Sequence, residues 1–199
     1  MNSTTEIFID GLWRDNPVFR QILGLCITLA ITNRVINGVT MGVAVFFVLV
    51  ASSFIVATIG DYVPRRVRIP VYMLIIATFV TLVYMFLRAY FTGLSQALGA
   101  YVGLIITNCI ILGRLESFSS ENGPWESVVD AAGISAGFAV ALIAMSVVRE
   151  LLGFGTLFGI NVLGSGWTPW VSMILAPGGF LVLGVLVWIE RSISPVEEG

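Results

Sequence analysis

One apolar run limits this chain to a single class of fold. Residues 39–59 contain no charged side chain, and a helix needs about 20 apolar residues to cross the hydrocarbon core of a bilayer. The rest of the chain agrees, because 57% of its 199 residues are hydrophobic and only 11% are charged, against about 25% in a soluble domain. We therefore predict an integral membrane protein. The net charge of −2 gives no basic surface for nucleic acid.

Further apolar runs predict an all-α membrane protein with six transmembrane helices in one integral membrane domain, residues 1–199. The spans are predicted at residues 18–32, 39–59, 67–91, 96–112, 131–152 and 171–189. The first and fourth are expected to be short or broken, because their apolar stretches are brief and glycine and polar residues interrupt the fourth. Short, glycine-interrupted spans at matching places in two halves are typical of a functional site at mid-membrane.

The same motif follows each of the two cysteines. Its order is glycine, β-branched residue, hydroxyl residue, any residue, glycine, apolar residue and alanine, and it occupies residues 38–44 and 133–139. We predict two three-helix repeats, at about residues 16–92 and 95–190. Since each repeat has three spans, the second must enter the membrane inverted. In each repeat the motif is expected to open the span that follows the cysteine.

Arginine counting predicts the orientation in the membrane. With six spans, seven arginines lie on one side and three on the other: the seven are Arg14, Arg20, Arg65, Arg66, Arg68, Arg114 and Arg191, and the three are Arg34, Arg88 and Arg149. The arginine-rich side is expected to be cytoplasmic. This places both termini and the predicted loops 61–68 and 114–130 inside the cell. Residues 1–15 are predicted to form a short amphipathic segment at the membrane surface.

Cys26 and Cys109 are the only cysteines, and each lies in a predicted span among apolar and small residues. Two readings stay open for such buried thiols. A free cysteine often acts as a small hydrophobic packing group, whereas thiolates also bind soft metals and iron–sulfur clusters. An ordinary cluster needs four cysteines, and the chain has no histidine. If these thiols hold metal, a second protein chain must supply the missing ligands.

Polar residues near the cysteines also have two readings. Thr28, Thr107 and Asn108 lie within or beside the cysteine-bearing stretches. They form ordinary hydrogen bonds between helices, worth about 0.6 kcal/mol on average, or they satisfy broken backbone and donate to cluster sulfurs. The residue pattern does not separate these roles.

Charged residues of the fifth span are expected at its ends. Arg149 and Glu150 are predicted near the outer face, where Arg149 would extend to the interface as an anchor, because charge at the bilayer centre costs about 2.5–3.5 kcal/mol. Asp130 is expected at the inner mouth of the same span, as a weak indication of a proton or cation path. Arg114 and Glu116 would anchor the fourth span on the cytoplasmic side.

Seven segments of the chain carry motifs of a known family. They are Gly11-Leu12-Trp13 with Asn16, residues 23–26, Ile69-Pro70, residues 105–114, Glu116-Ser117-Phe118, residues 149–153 and residues 155–159. With them the chain resembles the E subunit of Rnf/Rsx ion-translocating electron-transport complexes and its counterpart, the D subunit of sodium-pumping NADH:quinone oxidoreductases. The similarity covers nearly the whole sequence. The Gly11-Leu12-Trp13 start and Asn122-Gly123-Pro124 favour the Rnf complex.

The resemblance implies a cofactor and partners. Family members pair with a homologous six-span subunit of opposite topology, similar to the A subunit of the Rnf complex, and the two subunits hold one intramembrane 2Fe–2S cluster with two cysteines from each. Carried over to this chain, the ligands are Cys26 and Cys109. The cluster would relay electrons between other subunits that carry flavin and iron–sulfur centres. The complex would couple ferredoxin and NAD to sodium or proton movement.

The resulting prediction is a subunit of an ion-transporting ferredoxin:NAD oxidoreductase in the bacterial or archaeal cytoplasmic (inner) membrane. Turnover would belong to the complex, and no catalytic residue is predicted in this chain. The family often has proline and alanine after the first cysteine, where this chain has Ile27 and Thr28, so Gly24 and the short span are expected to provide the helix break. The alternative is a secondary transporter or channel subunit with an inverted-repeat fold and incidental cysteines. It predicts a polar or charged site at mid-membrane within this chain.

Overall fold

The computed structural model describes residues 4–9, 11–12, 16–90, 99, 101–158, 160–161 and 170–193. The described chain is mostly helical. Its helices are α1 Thr4–Ile9, α2 Leu25–Ile31, α3 Val35–Ile59, α4 Arg68–Tyr90, α5 residues 101–106, α6 Cys109–Arg114, α7 Pro124–Phe154, α8 Val171–Ile174 and α9 Ala176–Ile193. Short 3₁₀ turns at Gly60–Tyr62 and Arg65–Val67 join α3 to α4, and a π-helical turn at Leu115–Ser119 extends α6. A two-stranded ribbon, β1 Thr156–Leu157 and β2 Ile160–Asn161, follows α7.

Four helical stretches of the described residues are long and apolar enough to cross a membrane: Val35–Ile59, Arg65–Tyr90, Tyr101–Ser119 and Pro124–Phe154. They correspond to the predicted second, third, fourth and fifth spans. The fourth is broken by a turn at Thr107 and Asn108. The predicted first span contains only the seven-residue α2, and the sixth corresponds to α8 and α9. The count of six spans therefore stays a prediction.

The centre of the fold is the antiparallel pair of α3 and α7. A Cβ added to Gly42 would lie 3.0 Å from Cβ of Ala139, and one added to Gly38 would overlap the hydroxyl of Ser146. The helices therefore approach with little side chain between them, which is typical of small residues at membrane helix contacts. The Ser146 hydroxyl donates to the Leu142 carbonyl of its own helix at 2.7 Å, so no buried donor is lost at this contact.

The second copy of the motif has a different position from the one predicted. Residues 133–139 lie one third of the way along α7, because this helix begins at Pro124, directly after Gly123. Proline is favoured in the first turn of a helix, where its missing N–H is not needed. The predicted start at residue 131 is therefore wrong, and much of the predicted loop 114–130 is helical.

The described part of the N-terminal segment packs on α7, and its position at the membrane surface stays a prediction. A Cβ added to Gly133 would lie 2.7 Å from the carbonyl oxygen of Phe8, and one added to Gly137 would lie 3.0 Å from that of Gly11. The Asn16 amide donates to the Gly137 carbonyl at 3.2 Å. The glycines of the second motif thus form a groove for the described part of the N-terminal segment.

Charged residues collect at two opposite ends of the bundle. The first end, called here the arginine-rich end, contains the pairs Arg114–Asp130, Arg68–Glu116 and Arg20–Glu190. The opposite end contains Arg34, Arg149 and Glu150 where α7 finishes and α3 begins. These groups agree with the two sets of arginines counted from the sequence. Which end faces the cytoplasm stays a prediction.

Candidate metal centre at the helix breaks

Each cysteine lies in the first turn of a short helix. Cys26 is the second residue of α2, and Cys109 is the first residue of α6. Gly24 precedes α2 in the left-handed conformation, with φ of 75°, which is strained for any residue with a Cβ. Asn108 precedes α6, and its side-chain oxygen accepts a hydrogen bond from the N–H of Ile110 at 3.0 Å. The helix break before Cys26 therefore lies at Gly24, as predicted from the lack of a proline after the cysteine.

The two breaks contact each other. The backbone N–H of Gly24 donates to Sγ of Cys109, with a distance of 2.9 Å between nitrogen and sulfur. A Cβ added to Gly24 would overlap Cδ1 of Ile110 and lie 3.0 Å from the ring of Phe138. Both cysteine-bearing segments therefore meet against Phe138, near the middle of α7.

From this meeting point the two short helices run to opposite ends of α7. The end of α2 contacts Arg149, eleven positions after Phe138, which is about 17 Å along the helix. The end of α6 contacts Asp130, eight positions before Phe138, or about 12 Å. The cysteines thus lie at mid-height of the bundle, on two helices that begin together and diverge.

Both thiols are free and exposed on the surface of this chain. The expectation of buried thiols is therefore wrong for the isolated protein. Sequence alone places a cysteine among apolar neighbours, but it does not show that the break turns the side chain outward. Within the described part of the chain, no group of three or more histidine, cysteine, aspartate or glutamate side chains could hold a metal ion. The donors in the two segments that meet are two exposed thiols, and two thiols are half of the ligand set of a four-thiolate site.

Polar residues at the breaks mainly satisfy the backbone. The Thr28 hydroxyl donates to the Gly24 carbonyl at 2.9 Å, which uses its single proton. Asn108 is buried, and its amide nitrogen has no hydrogen-bond partner among the residues that the structure describes. Thr107 is exposed at the break itself. Of the three polar residues predicted to surround the thiols, Asn108, one position before Cys109, thus retains an unused donor among the described residues.

Replacing Gly24 with alanine is expected to destabilise the protein by about 2 kcal/mol or more, because the left-handed conformation alone costs about 1–2 kcal/mol with a Cβ and the new methyl overlaps Ile110. The measurement is the thermal unfolding of the detergent-solubilised complex. Gly184→Ala is the matched control, since nothing lies within 4 Å of a Cβ added there. Equal stability of the two variants would contradict the role given to Gly24.

Asp130 forms an ion pair in the structure. It is 2% exposed, and both of its carboxylate oxygens accept hydrogen bonds from Arg114, with 2.7 Å between Nε of Arg114 and Oδ2. Such a two-pronged pair fixes the geometry of both side chains. Asp130 therefore joins the end of α6 to α7, which accounts for its burial without a proton or cation path.

The chain shares its sequence pattern with a known family of membrane proteins. The profile of the family described as "Rnf-Nqr subunit, membrane protein" matches residues 4–187. The chain belongs to the Rnf-Nqr family. This family assignment confirms the resemblance based on the cysteine segments and the other motifs.

Relatives of this Rnf-Nqr protein carry names from both kinds of complex. The chain is 44% identical over 177 residues to the E subunit of the Na⁺-translocating ferredoxin:NAD⁺ oxidoreductase complex of Acetobacterium woodii, covering 89% of this chain and 90% of the relative. It is 42% identical over 199 residues to the D subunit of the Na⁺-translocating NADH-quinone reductase of Psychromonas ingrahamii, covering 98% and 95%. It is 40% identical over 207 residues to the E subunit of the ion-translocating oxidoreductase complex of Shewanella putrefaciens, covering 98% and 89%.

Arg149 and Glu150 lie in the last two turns of α7 in this Rnf-Nqr protein, and their burial differs from the prediction. Both are buried, with 2% and 3% exposure, so Arg149 is not an anchor that extends to the interface. Glu150 accepts a hydrogen bond from the N–H of Val35 at 2.6 Å, where negative charge stabilises the start of α3. Arg149 bonds the end of α2. The pair therefore holds both ends of the turn between α2 and α3. The sequence feature that could have indicated this burial is an adjacent Arg–Glu pair within an apolar stretch of helix.

Proposed function

We propose that this chain is the membrane subunit of an ion-translocating electron-transport complex of the Rnf type. In this proposal, Cys26 and Cys109 supply two of the four ligands of an intramembrane 2Fe–2S cluster. A homologous six-span subunit of opposite topology supplies the other two. The relatives are named as subunits of ion-translocating oxidoreductase complexes, which supports the complex as the working unit.

The observation that carries the proposal is the contact between the two breaks. The Gly24 N–H bonds Sγ of Cys109 at 2.9 Å, and both thiols are exposed beside this contact. Cysteines that only filled space would be expected inside the chain, because a free cysteine behaves as a small buried hydrophobe. Two exposed thiols at mid-height instead leave an incomplete ligand set that a second chain can complete.

The surrounding residues suit negatively charged sulfur. Each cysteine lies in the first turn of its helix, where the unpaired N–H groups and the helix dipole stabilise negative charge. The backbone N–H of Gly24 already donates to one sulfur. When bound, the cluster would supply a one-electron carrier between the subunits that hold flavin and iron–sulfur centres. This chain's own residues would orient the two thiolates and exclude water from one side.

The finer architecture belongs to the same proposal. The divergence of α2 and α6 from Phe138 toward opposite ends of α7 supports two inverted repeats. If α8 and α9 form the sixth span, the six-span arrangement would have the arginine-rich end and both termini in the cytoplasm. The membrane would be the cytoplasmic (inner) membrane of the cell. Sodium or protons would be the coupling ion.

The transporter or channel alternative predicts a charged or polar site at mid-membrane within this chain. Near the height of Phe138, the described contacts include Gly24 and Ile110, and the polar Asn16 there is engaged by its bond to the Gly137 carbonyl. The buried charges of the described residues, such as Asp130 and Arg149, lie toward the ends of α7 and are engaged in bonds. The geometry therefore favours the redox function.

A shared site can be tested by disulfide crosslinking in the assembled complex. After the iron is removed with a chelator, copper phenanthroline should oxidise a thiol of this chain together with a thiol of the homologous subunit. The expected product is a covalent heterodimer on a non-reducing gel, which disappears in the Cys26→Ser/Cys109→Ser double variant. A disulfide only within this chain, with no heterodimer, would contradict the shared site.

Asn108→Ser is expected to lower the midpoint potential of the cluster by about 40 mV. Serine still caps α6, but it removes the amide N–H groups, which have no partner in the described part of this chain. One hydrogen bond is worth about 1 kcal/mol, which corresponds to about 40 mV for one electron. The measurement is a redox titration of the cluster signal. Asn37→Ser is the control, because the Asn37 amide donates to Asn33, which lies in the turn before α3. Equal midpoint potentials in the two variants would show that Asn108 donates no hydrogen bond to the cluster.

A further inference from the structure

Arg149 is the residue of α7 with the largest set of hydrogen bonds in the described structure. Its guanidinium donates to five oxygens, those of Leu29, Thr32, Met173, Ile174 and Leu175, at 2.8–3.2 Å. Four of these acceptors are backbone carbonyls and one is the hydroxyl of Thr32. A guanidinium has five N–H groups in a planar fork, so every donor has a partner.

These partners belong to two helix ends. Leu29 lies in the last turn of α2, whose final carbonyls have no partner within the helix. Met173 and Ile174 lie at the end of α8, which stops before α9. Cations stabilise the C-terminal ends of helices. A single buried cation therefore satisfies the ends of two short helices and joins them to α7.

The surrounding sequence leaves room for this arrangement. A Cβ added to Gly179 would lie 3.4 Å from Cζ of Arg149 and 2.9 Å from a methyl group of Leu29. One added to Gly178 would lie 2.5 Å from Cα of Met173. The glycine pair at the start of α9 thus permits α2, α8 and α9 to converge on one side chain.

Cys26 lies one turn before the residue that Arg149 holds. Leu29 follows Cys26 by three positions, which is about 4.5 Å along α2. Because α2 has only seven residues, it lacks the length to be stable by itself. Its position therefore depends on the groups that hold its ends, which are Gly24 at the start and Arg149 at the finish.

Cys109 depends on other groups. Its helix is capped by Asn108 and extended by the π-helical turn that follows Arg114, whose guanidinium bonds Asp130. The Arg114–Asp130 pair lies at the arginine-rich end, away from Arg149. The bond from the Gly24 N–H to Sγ of Cys109 links Cys109 to the start of α2, whereas Arg149 holds the other end of that helix. Loss of the Arg149 bonds should consequently affect Cys26 more than Cys109.

We propose that Arg149 is the positioning residue of Cys26: its guanidinium fixes the Cys26 helix against α8 and α9. The inference about the cluster rests on the proposed function, because a correctly placed Cys26 matters only if it is a ligand. The position of the Cys26 helix itself can be measured without a cluster.

The test is the rate at which N-ethylmaleimide alkylates each cysteine in membranes that contain the assembled complex. Cys26 is followed in a Cys109→Ser background, and Cys109 in a Cys26→Ser background, with the modified peptides quantified by mass spectrometry. Arg149→Lys, which has three donors instead of five, and Arg149→Gln are each expected to raise the rate at Cys26 by about tenfold. The rate at Cys109 should rise less, because the Asn108 cap and the Arg114–Asp130 pair still hold its helix.

Arg34→Gln is the matched control, because Arg34 lies at the same end of the bundle but stacks over the ring of Phe154, 5.6 Å from its centre. It should change neither rate. If the Arg149 variants do not assemble, Gly179→Ala adds a methyl group 2.9 Å from Leu29 and 3.4 Å from the same guanidinium, a milder displacement that should also raise the rate at Cys26 more than that at Cys109. Equal increases at both cysteines, or no increase at Cys26 in an assembled complex, would overturn the proposal. Absence of a cluster from the wild-type complex would instead refute the proposed function, and the role of Arg149 in holding the Cys26 helix would be unaffected.

Discussion

Replacing Cys109 with serine should reduce electron transfer through the assembled complex by at least about 100-fold, because a hard hydroxyl oxygen is a poor substitute for a thiolate as an iron ligand. Cys26→Ser should have the same effect, since the two thiols complete one site. The measurement is the rate at which membranes or purified complex transfer electrons between reduced ferredoxin and NAD. The two single variants and the double variant should be equally inactive.

Ser172→Ala is the control for this series, because Ser172 is an exposed residue of α8 away from the two breaks. It should retain the wild-type rate. Immunoblots of the membranes would show that each variant protein accumulates and assembles. A Cys26→Ser or Cys109→Ser complex that assembles and transfers electrons at the wild-type rate would contradict the assignment of the ligands.

Replacing Asp130 with alanine should lower the stability of the protein by about 3–5 kcal/mol, the usual cost of leaving one member of a buried ion pair without its partner. Asp130 is 2% exposed and receives two hydrogen bonds from Arg114. In a chain of this size the loss corresponds to a fall of about 10 °C in the melting temperature. Thermal unfolding of the solubilised complex measures it.

Two further variants test whether loss of the Arg114–Asp130 pair causes the fall in stability. Arg114→Met combined with Asp130→Leu should be more stable than Asp130→Ala alone, because no buried charge is then left uncompensated. Glu116→Gln should cost less than about 1 kcal/mol, since the side chain of Glu116 is 49% exposed and lies 3.7 Å from Arg68. If Asp130→Ala and Glu116→Gln were equally mild, the structural role of the Arg114–Asp130 pair would be wrong.

The long helices are predictable from the sequence because composition alone determines them. The run that forms most of α3 has no charged residue between positions 39 and 59, and only a helix satisfies its backbone inside a bilayer. The break before Cys26 is also predictable, because Gly24 is the residue there that adopts positive φ without strain. At the same break, Ile22 also has a positive φ, 55°, and the sequence contains no signal for it.

Contacts between distant segments are not predictable in the same way. Arg149 is expected to be a surface anchor when charge cost in the bilayer is the only consideration, and its burial depends on carbonyls at the ends of α2 and α8 that are more than twenty positions away. The predicted start of α7 is too late because residues 124–130 include Glu126 and Asp130. The bond from Arg114 offsets the charge of Asp130 and allows the helix to continue through it.

The exposure of Cys26 and Cys109 is the finding that most changes the interpretation of the sequence. Apolar neighbours suggest thiols enclosed within the chain, where an inert packing role is common. The structure places both side chains at the surface, with the Gly24–Cys109 bond between their helices. Under the proposed function, two ligands at a surface require a partner chain, and this requirement agrees with the two-subunit site that the family resemblance implies.

The most direct test of this account is electron paramagnetic resonance of the reduced complex. The wild-type spectrum should contain a 2Fe–2S signal that is absent from both Cys26→Ser and Cys109→Ser, while the signals of centres in other subunits keep their intensity. The iron content of each variant should fall by the two atoms of one cluster. A 2Fe–2S signal of full intensity in assembled Cys109→Ser complex would contradict the claim that this chain provides half of the site.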